Sequence, residues 1–413
     1  MNYQFKSDIS RKEYDKFVKN FSSTSFMQTS SWSNVKNTWE CSLVGMYEGK
    51  KLVCAAMVLK RNLFLGKKLF YAPRGFVIDY TNKKLLNEFV SNLKSYAKKN
   101  GAIDMKIDPF ICFSEDNIQN IKNKKNIDVR KSFSDNTEEI VNNLKEVGFK
   151  HGGYKKEVNA YIQPRYTMVI SLKDKDGNFY DKESLRKTFP KNTRNYIGSY
   201  QEKRGVEFSY STNKEDVKHL VSVLKCTEQR QHIALRNEKY FKKIMEEFPS
   251  NAVLFFAHIN IDKYINFLND DMKTNPDKKD FCQKQIEEAI KIKAEYGNKP
   301  LAGATIVMMP TCENGIKTAS FLYAGTNTKI LPSLKITNGL MFYRLCYCLE
   351  KGCDYCDLGG VDGSLTDHLS TFKSKFNPNV LELVGEFDLV ISKFWFNMFN
   401  FAMKVLKFIR SKR

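Results

Sequence analysis

One order of elements occurs twice in this chain, and it limits the possible folds more than any other feature. In the first half, Lys51-Leu-Val-Cys-Ala-Ala-Met-Val-Leu59 reads as a strand and Lys68 to Tyr71 as a second, running into Tyr71-Ala-Pro-Arg-Gly75. A helix follows from about Lys83 to Lys99, with Leu85, Leu86, Phe89, Val90, Leu93 and Tyr96 at helical spacing. Asn100-Gly101 stops it, because glycine accepts the left-handed backbone of a helix end, and the strand Ala102 to Ile107 comes next. The second half repeats the order. Strand Leu301 to Met309 precedes strand Thr318 to Tyr323, which ends in Tyr323-Ala-Gly325. A helix from about Ser333 to Glu350 stops at Lys351-Gly352, and strand Asp354 to Leu358 closes the set. Repetition on this scale implies two copies of one α/β unit.

A strand-strand-helix-strand unit with a pocket beyond its middle strands is the pattern of GNAT-type acyltransferase domains. Two of them in tandem are expected, an α/β (α+β) architecture with the first unit at residues 1–165 and the second at 166–391. A hydrophobic content of 42% with 13% aromatic residues over 413 positions suffices for two packed cores. Between the repeats, Gln163 to Leu172 alternates as a strand, Leu185 to Arg204 reads as a basic helix ended by Gly205, and Lys214 to Arg230 as a further helix leading to Tyr240-Phe241. From Asp262 to Tyr296 the pattern is helical on both sides of Asn275-Pro276, which cannot continue a helix. A helical-hairpin arm, a short coiled coil, is therefore expected as an insertion at residues 262–298. Tyr264, Ile265, Leu268, Ile286, Ala289, Ile290 and Ile292 form the stripe that would join its arms.

The net charge of +21, from 67 Lys plus Arg against 46 Asp plus Glu, attracts polyanions. Nucleic acid, an anionic membrane face and a phosphate-bearing substrate all fit it, and so does a general lysine bias. No run of about twenty apolar residues occurs, so a spanning helix is not expected. Residues 392–413 combine Phe394, Trp395, Phe396, Met398, Phe399, Phe401, Met403, Val405, Leu406, Phe408 and Ile409 with Lys393, Lys404, Lys407, Arg410, Lys412 and Arg413. This is the composition of a basic amphipathic helix at a membrane interface, the alternative being a helix that packs its aromatic face on the body. Ten irregularly placed cysteines and a polar opening segment, Met1 to Glu13, fit a reducing cytoplasm. Cys346, Cys348, Cys353 and Cys356 have the look of a metal quartet. The first pair falls on a helix and the second brackets the start of a strand, so buried thiols are expected instead of zinc. The five histidines show no metal or triad spacing, and no cofactor is implied.

Acetyl-CoA enzymes of the GNAT type hold the pyrophosphate in an Arg/Gln-x-x-Gly-x-Gly/Ala turn whose amides point at phosphate. No glycine here has Arg or Gln three positions earlier, which disfavours simple acetyl transfer. Ten stretches run in order along nearly the whole chain. They are Ser31-Trp-Ser-Asn-Val-Lys36, Tyr71-Ala-Pro-Arg-Gly75, Lys106-Ile-Asp-Pro109, Gln163-Pro-Arg-Tyr-Thr167 and Arg186 to Gly205. Further on come Arg236-Asn-Glu-Lys-Tyr-Phe241, Phe321-Leu-Tyr-Ala-Gly325, Tyr355-Cys-Asp-Leu-Gly-Gly360, Phe372-Lys-Ser-Lys-Phe376 and Val384-Gly-Glu-Phe387. Together they resemble the Fem family of cell-wall aminoacyl transferases. The resemblance implies an enzyme that moves an amino acid of the Gly, Ala or Ser class from aminoacyl-tRNA onto the stem peptide of a peptidoglycan precursor, lipid-linked or nucleotide-linked. Its expected place is the cytoplasm, peripheral to the inner face of the membrane.

Such a transfer needs an amine nucleophile, an activated ester and stabilisation of a tetrahedral oxyanion. By resemblance, Lys373 is the functionally important lysine of its stretch, with Phe372 and Phe376 seated on the core and the ammonium pointing to the cleft. Asp108, before Pro109 at a strand end, and Glu386, after Gly385, are candidate carboxylates for holding or deprotonating the amine. The resemblance also puts Lys36 and Arg236 on the precursor's pyrophosphate, with Tyr240 and Tyr323 lining the same cleft and Arg230 as a neighbouring candidate. Arg236 and Tyr240, four apart, would share a helix face. Arg186, Lys187, Lys191, Arg194, Lys203 and Arg204 are a candidate track for tRNA phosphates. Two rivals stand beside this reading: a transferase of the same superfamily with another acceptor, and a non-catalytic RNA- or membrane-binding protein that uses the charge alone.

Overall fold

The structure, a computed structural model, describes residues 2–21, 24–123, 136–158 and 162–411; beyond residue 405 it describes a side chain only for Ile409. Each repeat closes around a parallel strand pair. In the first, Asn82 accepts a hydrogen bond from the Leu85 amide to start the helix Lys83–Lys99, and Gly101 at φ +75° turns the chain into Ala102–Ile107. That strand runs parallel to Lys68–Ala72, with the helix as the crossover. In the second, the helix Ile336–Glu350 joins Thr318–Thr326 to the parallel strand Tyr355–Val361. It begins later than its apolar pattern suggests, because Leu331 and Lys335 take left-handed backbone around a tight turn at Pro332–Leu334.

The first sheet has seven strands in the spatial order Tyr3–Lys6, Glu40–Glu48, Lys51–Asn62, Lys68–Ala72, Ala102–Ile107, Phe387–Val390 and Lys150–His151. The second has eight: Cys112–Asn117, Asn379–Leu383, Tyr166–Ser171, Tyr355–Val361, Thr318–Thr326, Leu301–Met308, Ala252–Ile259 and Val206–Ser211. Two strands cross the sequence division at residue 165. Cys112–Asn117 pairs with Asn379–Leu383 in the second sheet, and Phe387–Val390 pairs with Ala102–Ile107 in the first. Each unit is therefore continuous in space but assembled from separate stretches of chain.

Three apolar clusters follow from this layering. Phe70, Phe89, Leu93, Met105 and Phe387 pack one face of the first sheet against its crossover helix. Leu185, Phe189, Leu268, Ile259, Leu340 and Leu345 do the same for the second sheet and the arm. The third cluster, with Trp32, Met57, Leu59, Phe241, Leu254 and Ile306, is shared between the two sheets and binds them into one body.

Several elements differ from their sequence patterns. Tyr166–Ser171 is buried through Ile170 on both faces, because Tyr166, Met168 and Ile170 join the core while Thr167 and Val169 line a cavity on the other side. The basic segment is not one helix but three short ones, Lys182–Lys187, Lys191–Arg194 and Ser199–Lys203, interrupted at Pro190 and at Gly198 with φ +66°. Its arginines are partly used internally: Arg186 and Arg194 bond nearby carbonyls, and Arg204 lies 3.8 Å from the Tyr200 ring centre and 4.3 Å from that of Phe267. The arm forms as Ile261–Thr274 and Lys279–Tyr296, inserted between the paired strands Ala252–Ile259 and Leu301–Met308. Lys293 bridges to Asp262 at 2.5 Å and Tyr264 bonds Gln285 at 3.1 Å across it. Ile290 is the exception in the expected stripe, being exposed. The cysteines 346, 348, 353 and 356 are all buried.

Candidate active site

In the second sheet the parallel pair does not stay together. Thr318–Thr326 and Tyr355–Val361 pair only at Thr318, Ala319 and Ser320 opposite Tyr355, Cys356 and Asp357. Beyond that point Tyr355–Val361 bulges between Asp357 and Gly360, against Tyr166–Ser171. A bulge bends its strand and leaves backbone groups outside the ladder. Gly359 occupies it at φ +85°, and an added Cβ would meet the Phe321 carbonyl at 3.1 Å. The fork so opened walls a cavity of about 550 Å³. Ser320, Phe321, Leu322 and Tyr323 line one side, and Asp357, Gly359 and Gly360 the other.

Lys373 stands behind this wall, on the helix His368–Ser374. Phe376 is buried in the core and Phe372 packs at its edge, as their spacing suggests. The lysine itself is buried, and its Nζ donates to the carbonyls of Gly359 at 2.8 Å and Gly360 at 3.0 Å. Two of its three N–H groups are thus committed. The expected exposure to the cleft is corrected: the ammonium touches the carbonyls of two cavity-lining residues. Burial pulls it down to about 8, against the opposing pull of Asp357 and Asp367.

Asp357 is a site residue that sequence reasoning passed over. Its Oδ1 accepts from the Gly359 amide at 2.8 Å and from the Thr167 hydroxyl. Its Oδ2 has no hydrogen-bond partner among the described residues. With Glu115 it is one of two carboxylates lining the cavity. The signal was available: an acidic residue at a strand's end, two positions before a Gly-Gly pair that must bend.

The same cavity reaches Trp32, Lys36, Arg236 and Tyr240. Lys36 caps the helix Ser30–Val35, and Tyr240 sits in the first turn of Glu238–Glu247; the two helices meet through Asn34 and Glu247, 2.6 Å apart. Arg236 lies just before its helix and not on it, yet its guanidinium is 5.2 Å from the Tyr240 ring centre. Lys36 Nζ is 4.8 Å from the Trp32 ring and 5.4 Å from that of Tyr240. Tyr323 closes the group, 6.4 Å from Tyr240 ring to ring. Burial, and then the neighbouring Arg236, bring Lys36 down to about 8. Neither cation has a carboxylate partner among the described residues. Two like charges held this way favour an anion between them.

The profile of the FemAB family matches residues 9–284 and 269–404. The chain belongs to the FemAB family. Aminoacyltransferase FemA of Staphylococcus aureus, from strain bovine RF122 / ET3-1 and from strain MRSA252, is 24% identical over 425 residues, covering 94% of this chain and 95% of the relative. The crystal structure of FemX superposes with a TM-score of 0.74 at 23% identity, over 96% of this chain and 99% of that one. A tandem GNAT protein from the clavulanic acid biosynthesis pathway superposes with a TM-score of 0.50 at 8% identity, over 95% and 99%. This FemAB protein is accordingly an aminoacyltransferase built on two GNAT-like units.

Three further candidates of the FemAB chain fall outside the cavity lining. Asp108 is buried, and its carboxylate accepts from the Tyr71 hydroxyl at 2.6 Å, the Arg74 amide at 2.7 Å and the Gln163 amide at 2.9 Å. Burial pushes this carboxyl up, with Arg74 and the hydrogen bonds pulling against it. The arrangement clamps the Tyr71 to Gly75 turn to Gln163, which itself lines the cavity. Glu386 is held by Lys106 at 3.0 Å and Lys155 at 3.1 Å. Burial raises its carboxyl, but the two lysines outweigh that and leave it below the usual range. Arg230 is exposed and bonds the Thr326 carbonyl at 3.2 Å and the Thr328 hydroxyl at 3.3 Å, because the helix Val217–Gln231 ends there on left-handed His232.

Proposed function

We propose that this FemAB protein transfers an aminoacyl group from aminoacyl-tRNA to an amino group on the stem peptide of a peptidoglycan precursor, so building the interpeptide bridge. The observation that carries the proposal is the continuity of one cavity from the Lys36 and Arg236 cations to Asp357 and the Gly359-Gly360 wall. An acceptor with a pyrophosphate at one end and an amine at the other suits such a space. The amine attacks the ester carbon of the donor, a tetrahedral oxyanion forms, and its collapse leaves an amide and frees the ribose hydroxyl of the tRNA. Asp357 Oδ2 takes the proton from the amine and returns it to the leaving oxygen. Lys373 holds the carbonyl wall and supplies positive charge behind it, while Asp108 positions the opposite turn. An amino acid of the Gly, Ala or Ser class suits a fork whose wall is two glycines. The work is done on the cytoplasmic side of the cell membrane; no described helix is long and apolar enough to cross it.

Two results test the acceptor end. Lys36→Ala is expected to raise the acceptor KM about 10–100-fold with little change in kcat, as loss of a charge-assisted contact does; an unmoved KM sinks the assignment. With Lys36 at about 8, its ammonium is full at pH 7 and mostly lost by pH 9. Calorimetric binding of a nucleotide-linked precursor should therefore weaken as pH rises through about 8. Lys36→Arg should flatten that part of the profile, since guanidinium keeps its charge.

A further inference from the structure

Far from the cleft, the helix Lys393–Ser411 turns apolar side chains outward. Phe394 and Phe401 are each 69% exposed, and Met398, Val405 and Ile409 are exposed too. Their spacing of four, three, four and four puts all five on one face. On the adjoining flank Trp395 meets Phe64, ring centres 5.8 Å apart. Phe64 belongs to the hairpin tip between Lys51–Asn62 and Lys68–Ala72, where Leu65 is 78% exposed. Left-handed backbone at Leu65 and Gly66 makes this tip, and the Leu63 amide closes it on the Lys67 carbonyl at 2.8 Å.

Cations surround this patch. Lys67 Nζ lies 5.1 Å from the Trp395 ring, and Lys393 and Lys404 are exposed. Lys98 and Lys99 end the helix that turns at Gly101, beside the Gly66 carbonyl. Neither residues 62–68 nor residues 393–411 contain an Asp or Glu. We propose that the Phe64-Leu65 tip and the outward face of Lys393–Ser411 form one docking surface for an anionic lipid bilayer. Charge complementarity decides the occupant. Apolar side chains ringed by lysine match acyl chains beneath acidic headgroups. A second copy of a chain with net charge +21 would bring lysine against lysine.

The surface also fixes an orientation. It lies where Lys68–Ala72 and Ala102–Ile107 begin, whereas Tyr71, Arg74 and Asp108 lie where they end, next to the cavity. The cleft therefore lies about 20 Å from this surface along the strand direction, at 3.3 Å per strand residue.

Flotation of the full chain with vesicles of phosphatidylcholine, with and without phosphatidylglycerol, tests this independently of any transfer activity. Binding is expected with phosphatidylglycerol and to fade without it or in high salt. Phe64→Ala with Leu65→Ala should weaken it about tenfold or more, the scale of two apolar side chains withdrawn from lipid. Phe394→Asp with Phe401→Asp should abolish it. Trp395 emission in the otherwise unaltered chain should shift to the blue on these vesicles, and Trp395→Phe should remove the shift. Equal binding to both vesicle types, or full binding by the tip variant, overturns the proposal. So does a vesicle-free dimer that the same substitutions dissolve in a chain that ignores lipid.

Discussion

Asp357→Asn is expected to lower kcat about 10²–10⁴-fold while the acceptor KM moves less than about threefold, the range for losing a positioned proton acceptor. Asparagine keeps the oxygen that receives the Gly359 amide and the Thr167 hydroxyl, so the bulge retains its anchor. What goes is the second, unpartnered oxygen and its capacity for a proton. Steady-state kinetics with saturating charged tRNA separates the two constants. A kcat within about twofold of the parent would mean that the amine loses its proton elsewhere.

The second large effect is expected from Lys373→Met, a fall in kcat of about 10²–10³-fold, comparable to removing one fixed group that answers developing negative charge. Methionine keeps most of the buried stem and removes the ammonium. It also leaves the Gly359 and Gly360 carbonyls without their donor, at a cost of about 1–3 kcal/mol in stability. A pH series of unfolding separates charge from packing. The folded chain releases the Lys373 proton near 8, well before the unfolded chain does. From about 8 upward the unfolded state therefore holds more protons at this position, and Lys373 makes stability rise with pH until the unfolded lysine also titrates. Lys373→Met should lack that contribution. If kcat stays intact in the variant, the ammonium is a structural strut alone.

Much of the fold was legible because its signals are local. The helix Lys83–Lys99 and the strand Ala102–Ile107 lie where the apolar spacing and Asn100-Gly101 put them. The cation pair was legible through family resemblance, although Lys36 and Arg236 meet only because two helices two hundred positions apart pack together. The rest depended on contacts that spacing does not encode. Lys373 looked like a cleft residue until the bulge placed two carbonyls against it, and Asp357 became conspicuous for the same reason. Asp108 and Glu386 read as candidates for holding or deprotonating the amine, and the structure shows long-range donors from Gln163 and Lys106 on them. The basic run at Leu185 to Arg204 failed as one helix through two residues, Pro190 and Gly198, whose weight lysine periodicity concealed.

The placement of Phe387–Val390 between Ala102–Ile107 and Lys150–His151 has a consequence for synthesis on the ribosome. Translation reaches this strand roughly 240 residues after Lys150–His151. At about 5–20 residues per second, the nascent first sheet waits on the order of 10–50 s with its inner edges unpaired. Open strand edges invite pairing with other chains. The half made first is thus completed last, and holding chaperones are needed most by a segment already outside the exit tunnel.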